Sequence, residues 1–276
     1  MLSPRKLLEQ ANIRPRKRYG QNFLVNASAA RHVARLALAQ AAPETKTLEI
    51  GAGTGALTLA LLEEGADVTA LEIDPKLVVL LRDRPELSAA CIVAADALTF
   101  DYRAWSRDAA WRVAGNLPYN VATPLILRLV EMDDGPEALT VMLQKDVAER
   151  LIAAPGTAAY GSLSVAIQYA MMVELAFTLS PRSFFPPPKV QSSVVRLLRR
   201  TQPAARVRHP AMFWKVVRGA FAYRRKTLVN SLALSLDVDR VAILRALELS
   251  NISPELRGER LDLSDFARLA DALGEG

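Results

Sequence analysis

The sequence predicts an α/β fold, a doubly wound, Rossmann-like parallel sheet with a smaller helical domain at its C-terminal end. Three observations carry that expectation. Short apolar runs alternate with helical stretches between residues 47 and about 145, the pattern of successive βα units. A glycine-rich turn, residues 51–55, closes the first apolar run and opens a helix. Beyond about residue 201 the apolar spacing becomes helical, in 213–221, 241–249 and 266–273.

The elements follow in order. Residues 47–50 read as the first strand and 56–64 as a helix stopped by Gly65. A second strand over 67–73 leads to Asp74-Pro75, an N-cap followed by proline at the first helical position. Further strands are expected at 91–95, 111–115 and 139–143. After Gly161 an apolar helix runs to about Ala170, and strands at 173–179 and 193–198 suit an antiparallel edge. Two domains are expected, 1–200 with a basic N-terminal segment over 1–24, and a helical 201–276.

Composition narrows the function. The chain has 276 residues, 51% hydrophobic and 23% charged, which favours a folded core over disorder. A single cysteine, Cys91, rules out an intramolecular disulfide, and with only His32 and His209 the usual structural zinc sites cannot be built, so no metal is expected. The charged N-terminus is unlike a signal peptide and no apolar stretch approaches ~18 residues, so a soluble, cytoplasmic protein is expected, with a monomer as the default. The net charge is +6, but residues 1–18 hold six basic side chains against one acidic, and 181–226 hold twelve against none. Such segments attract a polyanion; the bland alternative is a pair of solvated basic surfaces.

The loop Glu49-Ile-Gly51-Ala-Gly53-Thr-Gly55 lets a ligand approach the backbone at a helix N-terminus. Glu72, 21 residues after Gly51, is placed to accept both hydroxyls of a ribose, and Asp96 the amino group of an adenine ring. These residues also satisfy the dinucleotide fingerprint, so a dehydrogenase stays open at this point. Downstream, Asn116-Leu117-Pro118-Tyr119 follows the fourth strand, beside the crevice at the strands' carboxyl ends. An exocyclic adenine amine is a poor nucleophile until its lone pair is localised. The Asn116 amide oxygen and Leu117 carbonyl suit its two hydrogens, Pro118 stiffens the backbone, and Tyr119 offers a face for stacking.

With these motifs the chain resembles the ribosomal RNA adenine dimethyltransferase family. The resemblance runs through residues 16–24 (RKRYGQNFL), the glycine loop, Asn116–Tyr119, 184–192 (FFPPPKVQS) and 221–228 (FAYRRKTL). It implies a Rossmann-like S-adenosylmethionine-dependent methyltransferase that dimethylates two adjacent adenines in a hairpin loop near the 3′ end of small-subunit ribosomal RNA. The substrate would be the small subunit or its precursor, and a role in subunit maturation is implied. By resemblance Asn22, Leu24, Gly51, Gly53, Glu72, Asp96 and Asn116 contact the cofactor, and Phe184 stacks on the target base opposite Tyr119. Arg16, Lys17, Arg18, Lys189, Arg224, Arg225 and Lys226 are the expected RNA contacts. Two rivals remain: a large-subunit adenine methylase that confers antibiotic resistance, and an assembly factor for which methylation is incidental.

Overall fold

A computed structural model describes residues 3–42, 44–107 and 109–275, with the side chain of Lys17 outside the described set. Nine strands form among the described residues: β1 (Phe23–Leu24), β2 (Lys46–Ile50), β3 (Val68–Glu72), β4 (Cys91–Ala94), β5 (Trp111–Asn116), β6 (Ala138–Gln144), β7 (Met171–Leu179), β8 (Phe184–Phe185) and β9 (Ser192–Arg199). Seven of them make one sheet in the order β4-β3-β2-β5-β6-β9-β7. β2 to β6 pair in parallel, and β9 runs antiparallel to β6. The apolar runs Leu48–Ile50, Val113–Ala114 and Leu139–Leu143 are buried because helices cover both faces of a parallel sheet. The strand order reverses at β2, which lies between β3 and β5, so a crevice opens there at the strands' carboxyl ends.

Local sequence explains the helix starts that shape this crevice. Gly51, Gly53 and Gly55 all have positive φ (78°, 59° and 80°), a conformation that side chains with a Cβ resist. The helix Pro75–Arg82 begins as its sequence predicts, with Asp74 accepting from the Lys76 amide at 3.1 Å and proline in the first turn. Helix ends are held by arginines from the sheet. Arg112 donates to the Ala37 carbonyl at 2.6 Å and Arg196 to that of Ala39 at 2.9 Å, both at the end of the helix Ala27–Leu38. Arg199 does the same for Leu129 and Val130, at the end of Ala122–Glu131.

The chain divides into two compact units, 1–148 with 173–199, and 149–172 with 200–276. Residues 149–172 therefore belong with the C-terminal unit, which corrects the expected boundary. The reason is packing: Ala153, Tyr160 and Val165 are buried in one cluster with Phe213, Leu232, Leu247 and Phe266. The apolar helix Ser162–Ala170, read from sequence as a continuation of the first domain, supplies part of the second core. That unit also contains the helices Pro210–Ala222, Leu228–Ser235, Arg240–Leu249 and Leu263–Gly274. Leu228–Ser235 is not among the helices that the apolar spacing predicts.

Gly115 tests how closely β5 and β2 approach at the crevice. A Cβ added there would meet the Ile50 carbonyl oxygen at 2.7 Å, and a backbone atom cannot swing aside. Gly115→Ala is expected to cost about 1–3 kcal/mol in chemical denaturation; a change under about 0.5 kcal/mol would mean that the strands separate freely.

Candidate active site

The crevice is a cavity of about 300 Å³ whose walls, among the described residues, come from the first unit. Every residue expected to contact the cofactor borders it: Asn22, Leu24, Gly51, Gly53, Glu72, Asp96 and Asn116. So do Leu117, Pro118 and Tyr119. One short segment, β1, closes the wall beyond the main sheet, and a second, β8, backs it. β1 pairs antiparallel with β8, setting Phe23 opposite Phe185 and Leu24 opposite Phe184.

The electrostatics of the walls are those of a site for a cation. Among the described residues, the charged side chains lining the cavity are Glu49, Glu72, Asp96 and a single arginine, Arg18. The Glu72 carboxylate accepts from the Gly53 amide at 2.8 Å and from the Asp74 amide at 2.9 Å. Burial raises its pKa above the usual carboxylate range, against the lowering effect of those bonds. Asp96 accepts from the Leu98 amide at 2.9 Å. Its loop is held by Arg128, which donates to the carbonyls of Ala97, Leu98 and Phe100.

The loop's amides are largely spoken for. Gly51 and Ala52 donate to the Leu71 carbonyl, Gly53 to Glu72, and Gly55 to the Ala52 carbonyl. A dinucleotide's pyrophosphate requires such amides and repels carboxylates, so the acidic walls and satisfied loop disfavour the dehydrogenase reading.

Asn116 ends β5, and its amide nitrogen donates to the Asn22 carbonyl at 2.6 Å. A carbonyl only accepts, so the amide nitrogen must face Asn22, which leaves Oδ1 on the opposite side to accept. The Pro118 carbonyl accepts from Val121 and Ala122 and so starts the next helix, Ala122–Glu131, directly behind the motif. Tyr119 shares a 2.7 Å hydrogen bond with Ser192 Oγ, which anchors its ring, and burial raises its pKa.

Several of the expected residues are engaged within the protein itself. Phe184 is only 3% exposed and belongs to the core cluster with Leu24 and Leu179, and it does not border the cavity. It buttresses Leu24 through the β1–β8 pair; stacking on a base would need this ring to turn out of that cluster. The β-pairing of the QNFL and FFP segments, invisible in their separate sequences, turns that side chain inward. Arg16, expected on phosphate, sits 3.6 Å from buried Asp74. Arg18 stacks over Tyr19 at 4.6 Å. Arg224 pairs with Glu259 and donates to the Ala158 carbonyl. Lys189, Arg225 and Lys226 are exposed. Lys17 lies outside the described side chains. Among the described residues, no His, Cys, Asp and Glu side chains cluster as a metal site requires.

Glu49 is a functional candidate that sequence reasoning passed over, though a lone carboxylate in an apolar strand was a signal. It is 1% exposed, borders the cavity, and its Oε2 has no hydrogen-bond partner among the described residues. Burial, reinforced by the neighbouring Glu72 carboxylate, moves its pKa from 4.5 to about 7. The folded chain thus holds this proton more tightly than the unfolded chain, and the stability it contributes is present below pH 4.5 and lost as pH rises through about 7. Glu49→Gln, neutral throughout, is expected to gain stability relative to the parent between about pH 5 and pH 8, by up to about 3 kcal/mol in chemical denaturation. A difference that does not vary with pH would mean that the carboxyl ionises normally in place.

Comparison with known proteins agrees with this geometry. The family model for ribosomal RNA adenine dimethylase matches residues 12–269. Ribosomal RNA small subunit methyltransferase A of Pseudomonas aeruginosa is 43% identical over 264 residues, covering 95% of this chain and 96% of the relative. The protein of the same name from Streptococcus mutans is 38% identical, covering 98% and 96%. Among solved structures, a dimethyladenosine transferase from Plasmodium falciparum shares the fold, with a TM-score of 0.73 at 24% identity over 90% of this chain and 95% of that one. The 23S rRNA methyltransferase ErmE has a TM-score of 0.70 at 25% identity, covering 92% and 100%. With the family model spanning all but the ends of the chain, and the QNFL, glycine-loop and Asn116–Tyr119 motifs lining one cavity, this chain belongs to the ribosomal RNA adenine dimethylase family.

Proposed function

We infer that this protein transfers methyl groups from S-adenosylmethionine to the 6-amino groups of two adjacent adenines in a hairpin loop near the 3′ end of small-subunit ribosomal RNA. The observation that carries the reading is the Asn116 amide, oriented by the Asn22 carbonyl beside a cavity with acidic walls. The small-subunit assignment rests on relatives 38% and 43% identical over nearly the whole chain that carry that name.

The residues present fit the cofactor. An unpartnered, fully buried carboxylate oxygen on Glu49 and the Glu72 and Asp96 carboxylates suit a ligand carrying positive charge, hydroxyls and an amino group. Asn22, Leu24, the glycine loop, Glu72, Asp96 and Asn116 would hold it. When bound, S-adenosylmethionine supplies an electrophilic methyl group on a positively charged sulfur.

The chain's own residues act on the amine. Asn116 Oδ1 and the Leu117 carbonyl accept its two hydrogens, drawing the nitrogen lone pair out of conjugation and fixing its direction. Tyr119, held by Ser192, stacks on the base. A target adenine reaches this cavity only when unstacked, which favours a loop over continuous duplex.

Exposed Lys189, Arg225 and Lys226 are the proposed phosphate contacts, whereas Arg16 and Arg224 have carboxylate partners to give up first. The protein is proposed to work as a monomer. The proposed setting is the cytoplasm, on the small subunit or its precursor, with a role in subunit maturation.

Nucleoside mass spectrometry of small subunits lacking adenine dimethylation, incubated with this protein and S-adenosylmethionine, tests the reading. Dimethyladenosine should appear in small-subunit RNA, and Asn116→Ala should lower its rate by about 100-fold or more. Product in large-subunit RNA instead would support the resistance-type reading, and accelerated subunit assembly with Asn116→Ala would separate a maturation role from catalysis. Binding of the RNA should fall steeply with salt, and Arg225→Glu with Lys226→Glu should flatten that dependence by roughly two phosphate contacts. Arg224→Glu should change it less; equal effects would mean that its Glu259 pairing does not persist.

A further inference from the structure

We propose that Gln21 and Asp74 are positioning residues for the reaction: buried Asp74 anchors Gln21, and Gln21 fixes the neighbouring Asn22 carbonyl that orients the Asn116 amide. The proposal rests on the adenine-methylation reading above for its kinetic part, while the geometry stands by itself.

Asp74 is fully buried yet does not border the cavity. Its Oδ1 accepts the Lys76 amide at 3.1 Å, as the N-cap of the helix Pro75–Arg82, with Arg16 Nη1 at 3.6 Å from the same oxygen. Its Oδ2 accepts from Gln21 Nε2 at 3.1 Å, across 53 residues of sequence. Gln21 Oε1 in turn accepts the Arg16 amide at 2.7 Å. Every polarity in this chain of bonds is dictated. A carboxylate only accepts and a backbone amide only donates, so the Gln21 amide fits in one orientation. Fixing Gln21 at both ends fixes the start of the next residue, whose carbonyl receives Asn116 Nδ2.

An N-cap needs only one of the two carboxylate oxygens, and any of Ser, Thr, Asn or Asp serves. The second oxygen, wholly enclosed and spent on a glutamine from the N-terminal segment, is what capping leaves unexplained. Its effect is to hold the Asn22 carbonyl where Asn116 Oδ1 is aimed for the amine. Loss of this control displaces a reacting geometry in which an error of about 1 Å costs on the order of 100-fold in rate.

A polarity swap tests it. Asp74→Asn keeps an amide oxygen on the Lys76 amide but turns an NH₂ toward the Gln21 NH₂, donor against donor. Gln21→Glu sets carboxylate against carboxylate. In the double variant the new side-chain amide at position 74 donates to the new carboxylate at position 21, which still accepts from the Arg16 amide, and the bond is restored with its direction reversed. The readouts are kcat at saturating cofactor and RNA, melting temperature, and hydrogen exchange of the Asn116 side-chain amide by nitrogen-15 NMR.

Each single variant should lower kcat at least about tenfold, or ~1.4 kcal/mol, and speed exchange at Asn116. The double variant should recover both to within about threefold of the parent, since the restored bond returns the positioning. Singles that keep the parental melting temperature and a kcat within about twofold overturn the proposal, as does a double variant no better than the worse single. If either charged variant fails to fold, Gln21→Met carries the test, since Gln21 is only half-buried and methionine nearly matches its volume. If the parent methylates no adenine but Asn116 protection follows the same pattern, the positioning holds and the functional reading falls. If methylation proceeds while Asn116 exchange is indifferent to every variant, the positioning falls.

Discussion

Two backbone amides at the carboxyl end of the sheet have no strand to pair with, that of Gly53 in the glycine loop and that of Asp74 in the turn after β3. Both converge on one carboxylate, Glu72, which is 5% exposed. An unpaired carboxylate so deeply buried would be costly, and unpaired amides beside it would be costly too; together they are mutually satisfied. This three-way junction ties two βα turns into one body. It holds the glycine loop in the left-handed conformation that only glycines adopt readily, and it delivers Asp74 to the spot where the N-terminal segment docks.

Charge in this chain is segregated by depth. The protein is basic as a whole, but its cavity is walled by Glu49, Glu72 and Asp96. Conversely, a share of the basic residues faces inward. Arg112, Arg128, Arg196 and Arg199 spend their guanidinium groups on carbonyls at helix ends and loops, where the delocalised, always-charged fork satisfies several acceptors at once. The segment from Pro181 to Lys226 is thus less of a solvated patch than its composition suggests, because Arg196, Arg199, Arg200, Arg208 and Arg224 each bind protein groups.

Most of the sheet was legible in the sequence because periodicity and turn chemistry agree there. The runs 47–50, 111–115 and 139–143 are too short for helices and each is buried on both faces, and Asp74-Pro75 marks its helix by a local rule. The cavity residues were found through motifs whose spacing matches the βα frame. What stayed hidden depends on contacts far apart in sequence. The packing of Phe184 on Leu24 is one case, because nothing in its own segment discloses that Leu24 lies opposite. The helix Ser162–Ala170 is apolar enough to cover a sheet or to join a helical core, and only Phe213, Phe266 and their neighbours decide between them. Glu49 and Asp74 looked like a strand residue and a simple cap.

The β1–β8 ladder has only two residues on each side, but its strands stand about 160 positions apart. Leu24 borders the cavity and is backed by Phe184, so a chain emerging from the ribosome gains the strand behind this part of the wall only when residue 185 has been made. By then the core strands β2 to β6 have all been made, and their local βα connections let them assemble first. The N-terminal segment can meet Asp74 and Asn116 earlier, but its pairing with β8 waits through more than half of synthesis. A chain truncated before β8 therefore lacks the strand that backs Leu24, although all of its parallel strands are present.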